Sequence, residues 1–214
     1  RVVALGLLAC SGALRADDLV ALGDEFGNSA TESRWLQIHE IEGWGANQLE
    51  AWDIHSTVPG HMRLLPHTSS WFANHRGVLV HKNIAGNFIV TARLVVGNRT
   101  WIAGIPQRNF SLAGLFVHRP TGRTAARPSP VPSGFPAWPP GGAYATDWLP
   151  GQEDYIFLSF GSAGNPGMRQ YEVKSTVGSN STLYFANRGV PASGEVELQM
   201  VVLGNTTVTL RRHP

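Results

Sequence analysis

Gly86-Asn87-Phe88-Ile89-Val90-Thr91-Ala92-Arg93-Leu94-Val95 is the stretch that decides how this chain folds. Phe88, Val90, Ala92 and Leu94 recur at every second position. One side of an extended segment is therefore apolar. Thr91 and Arg93 fall on the other side. An amphipathic helix would place its apolar residues three and four apart instead.

The same alternation continues outward in both directions. It marks Trp35-Leu36-Gln37-Ile38-His39, Val78 to Lys82, Ser111 to His118 and Tyr155 to Phe160 as strands. Gln170 to Ser175, Thr182 to Ala186, Glu195 to Leu203 and Thr206 to Arg211 follow the same pattern. Gly, Asn or Pro separates most of these runs, as in Ala85-Gly86-Asn87, Gly164-Asn165-Pro166 and Gly178-Ser179-Asn180. Gly204-Asn205 between two β-branched runs reads as a hairpin turn. No helical period lasts three turns beyond Asp24. The expected fold is all-β, a two-sheet antiparallel jelly-roll sandwich.

Composition agrees with this class. The chain has 214 residues, 43% of them hydrophobic, so a sizeable core can be buried. Only 15% are charged, far below the level of a disordered tail. Its 24 Gly and 14 Pro suit short strands joined by turns. With 17 Lys+Arg against 15 Asp+Glu, the net charge of +2 supplies no footprint for nucleic acid. A single Cys excludes an internal disulfide framework and a Cys-based zinc site. No apolar run reaches the roughly 18–20 residues of a membrane span.

The N-terminal residues read Arg1 followed by an apolar run and then Cys10. This has the shape of a secretory leader, and Leu7-Leu8-Ala9-Cys10 resembles a bacterial lipobox. Cys10 is then the lipid attachment site, residues 1–22 are leader and tether, and the folded domain spans 23–214. That placement puts the protein at a bacterial envelope or outside the cell, membrane-linked only through Cys10, and as a monomer. Residues 120–150 hold eight of the prolines and form a long Pro-rich loop, because Pro lacks the donor a sheet needs.

Asp24-Glu25-Phe26, Arg34-Trp35, Leu64 to Pro66, Ser70-Trp71-Phe72, Gly77 to Lys82, Ala85 to Phe88, Thr91-Ala92-Arg93 and Ala113-Gly114-Leu115 together carry a resemblance. They resemble the concanavalin A-like lectin/glucanase jelly rolls. The nearest subgroup is the bacterial domains of unknown function related to fungal regulation-of-enolase proteins. The resemblance runs over about residues 24–211 and is strongest over 64–118. It implies curved antiparallel sheets with carbohydrate held on the concave face. It further implies a structural calcium, for which Asp24 is the candidate. Asn87 stands where the family usually carries Asp, and the family's last strands continue beyond this pattern, so a C-terminal truncation is expected.

Parity proposes the lining of that face. If Leu115 and Val117 point inward, Phe116 and His118 point outward. Likewise His81, Glu172 and Lys174 oppose Val80 and Val173. Trp71, His81, Arg93, His118, Tyr155 and Glu172 thus form the expected ligand-binding set, with flat rings for stacking and charged groups for hydroxyls. The leading expectation is a non-catalytic carbohydrate-binding module. The alternatives are a hydrolase or lyase on the same fold, or a protein-interaction domain. Catalysis would need a proton donor and acceptor within reach, and the pairing available is Glu172 with His118. Alternating Glu195 and Glu197 read as the outer face of a core strand. The histidines lack metal-site spacing, and no nucleophile elbow, phosphate loop or dinucleotide fingerprint occurs.

Overall fold

In the computed structural model the described residues are 5–6, 19–41, 48–67, 70–73, 75, 77–100, 104–120, 153–187, 190–192 and 194–212. Cys10 and nearly all of the Pro-rich loop lie outside them. Twelve strands are present among the described residues. They are β1 (Leu5–Gly6), β2 (Leu36–Gln37), β3 (Leu49–Ile54), β4 (Met62–Pro66), β5 (Val80–Asn83) and β6 (Phe88–Val95), then β7 (Ser111–His118), β8 (Tyr155–Ser162), β9 (Gln170–Val177), β10 (Asn180–Ala186), β11 (Glu195–Leu203) and β12 (Thr206–Arg212). Every pairing is antiparallel except those of β1, which lies parallel to both β5 and β7.

Three sheets result rather than two. A seven-stranded sheet runs β10-β9-β8-β7-β1-β5-β2, a three-stranded sheet runs β12-β11-β6, and β3 pairs with β4 alone. The described strands close no barrel. The strand expected at Trp35–His39 is cut short. Only Leu36–Gln37 pairs, and Ile38–Ile41 turns into one helical turn, α1. Just before it, Ser29–Arg34 forms a 3-10 helix whose N-cap Asn28 accepts from the Ala30 N–H.

The alternating residues of β6 behave as their spacing predicts. Phe88, Val90, Ala92 and Leu94 are buried, while Ile89, Arg93 and Val95 are exposed. They meet Val196, Leu198, Met200 and Val202 of β11 and Leu115, Leu158, Phe160 and Tyr171 of the seven-stranded sheet in one apolar core. Ala113, which shares parity with Leu115 and Val117, is exposed. The hairpin at Gly204-Asn205 forms as expected, with Leu203 opposite Thr206 and Gly204 at positive φ. Asn87 binds across this end, its Oδ1 accepting from the Gly204 N–H at 2.7 Å. Gly114 is obligatory, since a Cβ there would lie 2.0 Å from the Leu158 carbonyl oxygen.

Candidate functional site

Strands β7, β8 and β9 give one face to the apolar core and the other to a different set of side chains. Register defines that second face. His118 lies opposite Tyr155, which lies opposite Thr176. Phe116, Phe157 and Lys174 form the next row, and Gly114, Ser159 and Glu172 the one after. This face carries rings and titratable groups together, and nearly all of them are buried.

Trp71 reaches the face from the segment before β5. Its ring lies 4.5 Å from Phe116, 5.4 Å from Tyr155 and 5.7 Å from His118, centroid to centroid. Phe116 stacks on Tyr155 at 5.0 Å. The segment is tied down at three points. The Trp71 indole N–H donates to the Val78 carbonyl, Lys174 Nζ donates to the Trp71 carbonyl at 2.8 Å, and the Ala73 N–H donates to Ser181 Oγ at 2.8 Å. Trp71 is 6% exposed and its neighbour Phe72 is 44% exposed, so of this pair it is Phe72 that faces water. Gly77 makes room for the indole, because a Cβ there would sit 2.9 Å from Trp71 Cδ1.

Glu172 is fully buried, and its charged partner is Lys174. Lys174 Nζ stands 3.2 Å from Oε1, within ion-pair and hydrogen-bond distance. Burial pushes the Glu172 carboxyl above its ordinary range, and Lys174 opposes that push. His118 has another partner: its Nε2 lies 3.1 Å from Glu153 Oε2, and both side chains are buried. Burial raises the Tyr155 phenol, and its hydroxyl lies 3.5 Å from Ser181 Oγ. His81 is driven down to about 4, first by burial and then by the nearby His118, against a backbone contact with Leu79. Its Nδ1 has no hydrogen-bond partner.

The structure therefore gathers Trp71, His81, His118, Tyr155 and Glu172 on one side of the large sheet. It separates Arg93, which lies on the outer face of the three-stranded sheet, paired with Glu195 at 2.8 Å. It also separates the acid and base expected to work together. Register sets Glu172 four residues and two strands from His118, roughly 15 Å between backbones. That is beyond direct proton-transfer reach. Glu153 is the residue that spacing alone could have found. It lies two positions before Tyr155 and so shares its side.

Asp24 is held as a local brace. Its Oδ1 accepts from the Phe26 N–H at 2.8 Å and its Oδ2 from the Trp35 indole at 2.9 Å. Burial would raise its carboxyl, but the bonds from Trp35, Phe26 and Thr31 and the charge of Lys82 outweigh that and hold it low. Among the described residues no group of three or more His, Cys, Asp or Glu could hold a metal ion. A concavity of about 270 Å³ near Ala21, Leu22, Arg34, Leu36, Lys82 and Asn83 has its cations already engaged. Arg34 binds the Ala21 carbonyl and Lys82 the Leu22 carbonyl.

No protein-family model matches this chain, and neither the curated proteins nor the solved structures contain a match to it.

Proposed function

We propose that this chain is a carbohydrate-binding domain of the concanavalin A-like jelly-roll type, working at a bacterial envelope. Its glycan site is the face of the seven-stranded sheet that carries Trp71, Phe116, Tyr155, Glu172 and Lys174. One observation carries this reading: the rings of Trp71, Phe116 and Tyr155 and the buried Glu172–Lys174 pair share one face of the sheet. Burying a charged pair among rings costs desolvation that a purely apolar core avoids. A sugar hydroxyl is the donor that fits an acceptor set among rings, since rings stack on the C–H faces of the pyranose. Access requires the segment around Trp71 to lift from the sheet.

A second reading, a hydrolase or lyase on this fold, draws on the buried His118–Glu153 contact beside Tyr155. One experiment separates the two. The full chain is incubated with a panel of soluble and insoluble polysaccharides, and reducing ends and unsaturated products are assayed in the same tubes. The binding reading expects retention without product, and at least a tenfold loss of affinity in Glu172→Gln and Trp71→Ala. Product that disappears in His118→Gln would put the enzyme first. No retention by folded protein on any glycan would remove both.

A further inference from the structure

The outer strand of the large sheet poses a separate question. Among the described residues, β10 is hydrogen-bonded to β9 on one side only. Gly178 and Ser179 both have positive φ, the signature of the two-residue turn that closes on a hydrogen-bonded Val177–Asn180 pair. Counting from that pair, Asn180, Thr182, Tyr184 and Ala186 direct their backbone groups to β9. Ser181, Leu183 and Phe185 direct theirs outward.

Long open edges are normally blunted by Lys, Pro, a bulge or a covering segment. β10 reads Asn-Ser-Thr-Leu-Tyr-Phe-Ala, without charge or Pro, and its register with β9 is unbroken over seven pairs. Tyr184 is 71% exposed and Phe185 40% exposed. Phe110, also exposed, lies 6.5 Å from Phe185 at the same end.

The geometry points to a second copy of this chain as the occupant, its β10 antiparallel to the first about a two-fold axis through Leu183. The strand is self-complementary in that register. Leu183 faces Leu183, and Ser181 faces Phe185, so all three outward residues find backbone partners. Between them Thr182 meets Tyr184, an aromatic–β-branched pair of the favourable kind. Small residues precede Leu183 and aromatic ones follow it, so reversal sets small against large on both sides of the axis. No like charges meet. This symmetry is what a homodimer needs and a foreign strand does not. It replaces the monomer expected from the sequence, and it is independent of any glycan.

The test is sedimentation velocity on the full chain across a wide concentration range, with circular dichroism as the fold control. The expected result is twice the chain mass, falling to one chain mass in Leu183→Pro. That substitution removes an outward donor and no bond to β9. The double change Thr182→Lys with Tyr184→Lys, at exposed positions, sets like charges across the axis and has the same expected effect. Leu183→Cys with Cys10→Ser should form a disulfide-linked dimer on oxidation, because hydrogen-bonded antiparallel pairs stand about 5.5 Å apart. A single chain mass at every concentration overturns the proposal. So does a dimer that survives both edge variants.

Discussion

The two faces of the large sheet are made by alternate residues of the same strands, yet they are chemically unlike. One face sends Leu115, Leu158, Phe160 and Tyr171 into an apolar core shared with β6 and β11. The other sends Phe116, His118, Tyr155, Glu172 and Lys174 into an equally buried but polar setting. Both exclude water. The difference is that the first gains from burial alone, whereas the second must pair or neutralise what it buries.

The sharpest way to break this contrast is to damage each face and ask whether a second change repairs it. Phe160→Ala should cost about 4 kcal/mol, read by urea unfolding, with no polar partner change able to restore it. Lys174→Met should cost about 3 kcal/mol at neutral pH by stranding the Glu172 carboxylate. Adding Glu172→Gln should return most of that loss. If the double variant is no more stable than Lys174→Met alone, the two groups are not coupled and the polar face is not an ion-pair setting.

Acid sharpens the same comparison with a smaller effect. His81 is buried neutral, its imidazole held down at about 4 against an ordinary 6.5. The folded state therefore binds that proton less well than the unfolded one. Its contribution is full above 6.5 and is lost as pH falls from there toward 4, by up to about 3 kcal/mol. Tm should drop across that window, and His81→Gln should flatten the drop. Glu172 has the opposite sign. Its raised carboxyl favours the fold at low pH and loses that contribution as pH rises through its folded-state value. A profile unchanged by His81→Gln would mean the imidazole is hydrated in the folded state.

The smallest effect belongs to a residue that parity grouped with the polar face. Arg93→Ala removes an exposed pair with Glu195 and should change stability by less than about 1 kcal/mol. It should leave glycan retention untouched. Loss of retention would return Arg93 to the site and move the site to the three-stranded sheet.

Much of this was legible before any coordinates. Phe88, Val90, Ala92 and Leu94, and Val196, Leu198, Met200 and Val202, recur at every second position because that face of each strand meets the core. The hairpin at Gly204-Asn205 is legible because glycine tolerates the positive φ that Gly204 takes, and Gly178-Ser179-Asn180 is legible as a break between strands. β3 and β4 were largely missed, since Leu49–Ile54 is only half-buried and breaks register at a bulge between Leu49 and Ala51. The alternation at Trp35–His39 suggests a longer strand than forms, because Ile38 is buried from a helical turn rather than a strand.

By itself, then, the sequence determined the strands, their two-sided character and the residues that share a side. A period of two is a local property of extended backbone, and local order is enough to show it. Only the tertiary structure decided what covers each side. That His118 meets Glu153 across 35 residues and that Arg93 lies on a different sheet depend on strand order and register. Those are set by which apolar faces find each other, a competition among distant segments that no single stretch of the chain records.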